Sequence, residues 1–472
     1  MGPTKPEEED FSQRREDRKA EPHRKTQACR FASWRSAERT KEPASLPRWI
    51  LHGRISRLND AIANQARNPN VESEPETAAP GANRALALVC LSVLLSSATW
   101  FSGTAVVPIL RQQWRLTDAE SAWLTIAVQL GFITGTFLYA YLNLSDRLNA
   151  RRVFLVSALL GAAFNAVFAW LASGLASVVA LRFLTGITLA GVYPVGMKIV
   201  AMWFRTGLGW RLGLLVGSLT LGTASPYLIQ SVGAALDWRG LVSVASLSSV
   251  AGGVLMQSVV SDGPYLRTRA RFDPAMLFKV FRHKPFRYTA LGYFGHMWEL
   301  YAFWSLITFY LNSSFRDHAE RWLARVPLLA FLTIGIGAVG CAAGGWISKR
   351  TGETSVALGS LIISGTCCAL SGVAYLLPAP GLLFFILVWG VFVVSDSPQF
   401  SALAARHCPP EYTGTALTVQ NGIGFAVTVI SIQVLPLAAG VAGWRWAFLV
   451  LTAGPAVGAY FMLKLRTASA VL

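Results

Sequence analysis

The stretch SDRLNARR, Ser145 to Arg152, sets an aspartate and three arginines between two long apolar runs. A second charged turn, SKRTGE (Ser348 to Glu353), holds the equivalent place in the later part of the chain. A short charged turn between apolar runs returns one membrane helix into the next, and charged loops rather than helix interiors carry such residues. Its recurrence implies two related halves.

Outward from these turns, twelve apolar segments follow Arg84, each long enough for the roughly 30 Å hydrocarbon core. Segments 1 to 6 are 85–109, 121–142, 152–172, 175–203, 210–235 and 239–259. Segments 7 to 12 are 286–312, 325–347, 354–377, 381–405, 412–437 and 442–465. All are expected to be helices, because a single chain in lipid must satisfy its own backbone hydrogen bonds. Each half also ends alike. Pro226 precedes Trp238-Arg239, and Pro436 precedes Trp444-Arg445. The reading is therefore an all-α membrane protein of twelve transmembrane helices in two six-helix halves, 85–259 and 286–472, joined by a basic loop over 260–285. Such a pair of halves is a transporter architecture, with its site between them at mid-membrane.

Composition agrees. Hydrophobic residues make up 53% and charged residues 14%, against about 25% charged in soluble domains. The net charge of +17 sits in the gaps between apolar runs, which argues against a nucleic-acid partner. With the N-terminus inside, inner loops hold 17 Lys and Arg and outer loops 7. That bias predicts both termini in the cytoplasm, in a multi-pass cell (inner) membrane protein. The six cysteines are scattered without ligand spacing, so neither metal nor other cofactor is expected.

Residues 1–84 are polar and mixed in charge, which predicts disorder. Within them, Leu51, Ile55, Leu58 and Ile62 mark one stripe of a basic amphipathic helix over Pro47 to Gln65. No methionine lies between Met1 and Met197, and a GTG start at Val71 would leave a short polar lead into segment 1. On that start, residues 1–70 are expected to be an over-extended gene model.

With these features the chain resembles the major facilitator superfamily. Asp146-Arg147 with Arg151-Arg152 is similar to its loop 2–3 motif, and Arg182, Gly186 and Gly191 in RFLTGITLAGVYP to its fourth helix. Gly213, Gly217, Gly222 and Pro226 resemble its glycine-rich fifth helix. AGVYPVGMK, GHMWELYAFW, SDSPQFSA and GTALTVQNGIGF look like a bacterial branch often labelled nitrate/nitrite or cyanate-type. Segment 5, GSLTLGTASP, has no asparagine of the nitrate signature, so substrate identity is not carried over. The resemblance implies a central cavity lined by helices 1, 4, 7 and 10.

Charged groups inside the membrane cost about 2.5–3.5 kcal/mol each. Those here are Arg182 and Lys198 in segment 4, Glu299 in segment 7 and Asp396 in segment 10, with His296 beside Glu299. These are the helices that the resemblance places around the cavity. Each has a plainer reading as a brace, a snorkelling chain or a helix cap. The functional reading makes Glu299 the proton carrier, His296 its relay one helical turn away, and Asp396 a further coupling candidate. Arg182 and Lys198 would hold an anion, and Tyr193, Trp100, Trp298, Tyr301 and Gln399 would shape the pocket. Asp146, Arg147, Arg151 and Arg152 are read as a conformational latch.

The expected function is secondary active transport of a small polar solute, an anion among the candidates, by alternating access and coupled to protons. A proton-antiport exporter of drugs or metabolites is the alternative, and a transporter-like membrane sensor is the other class. An enzyme is not expected, since HExxH, GxSxG and phosphate-loop motifs are missing from the sequence.

Overall fold

Helices occupy all twelve predicted segments in the computed structural model, which describes residues 79–204, 207–233, 236–265, 279–315, 320–408 and 413–471. The amphipathic stretch 47–65, Val71, Arg205 and residues 266–278 of the basic loop lie outside the described residues.

Local chemistry sets several helix starts. Thr117 and Glu120 form a reciprocal cap, with Thr117 Oγ1 accepting from Glu120 N at 3.2 Å and Glu120 Oε2 accepting from Thr117 N at 2.8 Å. Asn149 Oδ1 accepts from Arg151 N at 3.0 Å, so the SDRLNARR turn carries the cap of the helix that follows it.

Ten runs are long and apolar enough to cross a membrane among the described residues. Two features separate that count from twelve. The helix Lys284–Ser314 carries Lys284, Arg287, His296 and Glu299 and is too polar to qualify. The run Thr413–Ala468 counts once although it has 56 residues. At 1.5 Å per residue that is about 84 Å, more than twice the hydrocarbon core. Gly443, at φ 72° and ψ 163°, interrupts it at the start of segment 12.

Segments 4 and 10, counterparts in the two halves, are both broken. Segment 4 consists of Leu175–Leu189 and Tyr193–Ala201. Segment 10 consists of Ala379–Ser395 and Ser397–Arg406. Each second piece has proline at its second residue, Pro194 or Pro398, where a missing N–H and a fixed φ start a helix but cannot continue one. Segment 1 divides likewise, at Val106 before Pro108.

Within each half the helices pack closely; between halves, segment 5 lies on segment 8, and segment 2 on segment 11. A Cβ on Gly213 would lie 2.7 Å from the Cys341 carbonyl oxygen across that contact. Any larger side chain there would push the halves apart. Large apolar side chains such as Phe384 and Leu171 point outward, 72% and 74% exposed, as a lipid-facing surface requires.

Candidate functional site

The five intramembrane titratable groups fall into separate places. Arg182 is fully buried within the amino-terminal half. Its Nη1 donates to Thr99 O at 3.0 Å and Asn165 Oδ1 at 2.8 Å, and its Nη2 donates to Trp100 O. Asn165 is itself fixed, donating to Ser246 Oγ at 3.0 Å. A guanidinium solvated by carbonyls of segments 1 and 3 braces three helices and does not line the space between the halves.

Glu299 is likewise buried inside its own half, the carboxy-terminal one. Its Oε1 accepts from Trp389 Nε1 at 2.6 Å and Cys368 Sγ at 3.2 Å, and its Oε2 accepts from Ser364 Oγ at 2.8 Å. Segments 7, 9 and 10 meet on this carboxylate. His296, three residues earlier, turns to a different neighbour: its Nδ1 is 2.9 Å from Asp396 Oδ1. Both are 1% exposed, and Asp396 stands at the break of segment 10. The expectation that one cavity gathers Arg182, Lys198, Glu299 and Asp396 is thus corrected. Low dielectric makes each charge find partners inside its own half.

Lys198 is corrected in the same way. Its Nζ donates to the Ser145 carbonyl, tying the end of segment 4 to the turn after segment 2. In the expected latch, Arg147 and Arg152 are exposed, and the Asp146 side chain lies outside the described residues. Arg151 has a partner that the sequence did not suggest. Its Nε and Nη2 grip Asp262 Oδ1 and Oδ2 at 2.8 and 2.9 Å, and its Nη1 donates to Val260 O at 2.8 Å. The Arg151 hydrogen bond holds the Asp262 carboxyl below its ordinary range. A carboxylate depressed on folding stabilises above its unfolded pKa and loses that contribution as pH falls through the folded value. Asp262→Asn is therefore expected to lower the melting temperature at neutral pH. The gap from the parent should close below about pH 4. A gap independent of pH would assign the effect to packing instead.

The space between the halves is lined by Trp100, Tyr193, Thr220, Tyr293, Tyr301, Trp304, Ser397, Ser401, Asn421 and Phe425, with five aliphatic neighbours. No charged side chain is among this described lining. Trp100, Tyr193 and Tyr301 are therefore where they were expected. Trp298 is not: its Nε1 donates to Val450 O at 3.3 Å, toward segment 12. Gln399 is 1% exposed and lies off this lining. Sequence reasoning passed over Asn421 and Ser401, although both lie in motifs that it quoted. Trp100 Nε1 and Trp304 Nε1 are buried indole donors that find no acceptor among the described residues.

Rings from both halves close one end of this cavity. Trp100 packs on Phe132 at 4.9 Å and stacks on Tyr301 at 5.8 Å; Phe425 lies 4.5 Å from Phe132 and 5.1 Å from Tyr301 between centroids. About 30 Å³ of this space admits the centre of a water molecule.

The family model described as Major Facilitator Superfamily matches residues 89–432. The niacin transporter NiaP of Acinetobacter baylyi is 26% identical over 367 residues, covering 68% of this chain and 78% of that protein. The probable sulfoacetate transporter SauU of Cupriavidus necator is 25% identical over 316 residues, covering 61% and 71%. A crystal structure of the nucleoside transporter NupG superposes with a TM-score of 0.61 at 13% identity, over 81% of this chain and 99% of that one. This last likeness is one of fold.

Proposed function

The chain belongs to the Major Facilitator Superfamily and is a multi-pass membrane transporter of small solutes rather than an enzyme, and we propose that its solute is a small polar organic molecule, an organic acid in the first instance. One observation carries this reading: the cavity between the halves is lined by aromatic rings, hydroxyls and one amide, with no charged side chain among its described lining. Rings can sandwich a flat or apolar body, while the unpaired indole N–H groups and Asn421 can donate to an acceptor-rich end. An inorganic anion of the nitrate or cyanate type would gain little from such walls, which lack a cation. The names of the two relatives, for niacin and sulfoacetate, favour an organic acid too.

In this reading twelve helices cross the membrane with both termini inside, in the cell (inner) membrane. Support comes from the loop-charge bias and from the interruption at Gly443. The solute moves by alternating access, coupled to protons taken up in the carboxy-terminal half, with Asp396, His296 and Glu299 as carriers. The exporter alternative shares the aromatic lining and differs in direction.

Proteoliposomes under an acid-outside gradient test the proposal, with labelled nicotinate and sulfoacetate as first solutes. Trp100→Ala and Asn421→Ala are each expected to cut uptake about tenfold, as loss of a buried contact of 1–2 kcal/mol implies. Uptake unaffected by both variants would remove the cavity from the mechanism. Binding without uptake by any vesicle preparation would favour a sensor.

A further inference from the structure

A second cavity lies on the far side of the aromatic closure. Thr104, Ser121, Thr125, Ser305 and Pro436 are among its lining residues. Segments 1, 2, 7 and 11 border both the closure and this cavity, one or two helical turns apart. Trp100 gives way to Thr104, Phe132 to Thr125, Tyr301 to Ser305 and Phe425 to Ile432. The two spaces are therefore successive parts of one path.

The far cavity is built for hydrogen bonding. Thr104 and Thr125 pair through their hydroxyls at 2.8 Å. Ser121, 4% exposed, has a hydroxyl with no hydrogen-bond partner among the described residues. Gln129, just off the described lining of that cavity, is one turn deeper than Thr125 on the same helix face, toward Phe132. It is fully buried, and neither Oε1 nor Nε2 has a partner among the described residues. An orphan amide in a dry interior is costly, and a leucine would fill the same volume without that cost. The hydroxyls and the amide offer donors and acceptors together, beside no lining charge.

We propose that this far cavity is a second solute-binding station, in which Ser121, Thr125 and Gln129 take an uncharged group that both donates and accepts hydrogen bonds. A carboxamide, a hydroxyl or a carboxyl carrying its proton fits; a bare carboxylate leaves the Gln129 carbonyl unanswered. The proposal rests on the transporter reading. It adds that the solute passes the aromatic closure in neutral form, so that an organic acid brings its own proton to this point.

Thiol tethering tests the station without knowledge of the solute. Purified full-length Thr125→Cys is treated in detergent with hydroxyethyl, sulfonatoethyl and trimethylammonioethyl methanethiosulfonates. Rates are normalised to a free thiol, and the parent supplies the background. The neutral reagent is expected to react about tenfold faster than either charged one, and Gln129→Leu should erase that preference. Equal rates, no modification, or a preference that survives Gln129→Leu overturn the station. Ser121→Cys reads the same cavity if Thr125→Cys fails to fold. Uptake by the parent in proteoliposomes stands apart. Uptake with an unselective Thr125→Cys removes the station alone, whereas a selective Thr125→Cys with no uptake of any solute removes the transport reading.

Discussion

Arg182→Leu is expected to cost the protein about 3–5 kcal/mol of stability, the range seen when a buried charge network loses a member. The side chain is fully buried and donates to segments 1 and 3 from segment 4. Removing it strands the Thr99 and Trp100 carbonyls and Asn165 Oδ1 in a medium with no water to replace it. Lysine should rescue only part, since a single ammonium cannot span the same fork of acceptors. Gly103 offers an independent check. A Cβ there would lie 2.7 Å from Arg182 Nε, so Gly103→Ala should disturb the same network without touching the charge. Thermal melting in detergent reads all three variants. A leucine variant that melts like the parent but no longer binds solute would make Arg182 a binding residue.

Asp396→Asn is expected to abolish proton-driven accumulation, by more than tenfold, while solute exchange across the membrane continues. Asp396 meets His296 at 2.9 Å at the break of segment 10, and Ser397, the next residue, lines the cavity. A proton on this pair is thus one residue from the solute. Glu299→Gln should also remove accumulation and spare exchange, but with a second effect that separates the two sites. The glutamine NH2 would replace one of the two oxygens that accept from Trp389, Cys368 and Ser364, turning a donor toward a donor unless the Ser364 hydroxyl reorients to accept. That mismatch should cost about 1–3 kcal/mol of stability, which Asp396→Asn need not share. Accumulation at parental level in both variants would place proton coupling elsewhere.

Much of this was legible in the sequence, for physical reasons. Apolar runs of spanning length and charged turns such as SDRLNARR follow from the energetics of lipid, which act on composition directly. Pro194 and Pro398 each stand second in a helix piece, where a missing donor marks a break, but from the sequence that signal was read only at Asp396. Side-chain direction was not legible. His296 and Glu299 are three residues apart, about 60° around a helix, and that angle sends His296 to Asp396 at the break of segment 10 and Glu299 to donors from segments 9 and 10. Lys198 has a stem long enough for either the cavity or the Ser145 carbonyl, and only packing decides. Gln129 sits in an ordinary-looking stretch, AVQLGF. Its unsatisfied amide emerges only when every neighbour is known.

The opposite placement of Arg182 and Glu299 has an electrical consequence. Arg182 sets a positive charge deep in the first half, and Glu299, while its carboxylate is ionised, sets a negative one in the second, apart from the His296–Asp396 pair. Neither has a countercharge among its hydrogen-bond partners. Halves that rock against each other carry these charges through the membrane field, where a full crossing is worth about 2.3 kcal/mol per charge at 100 mV. Membrane voltage then biases which side the cavity faces, and the step produces a transient displacement current even with no solute bound.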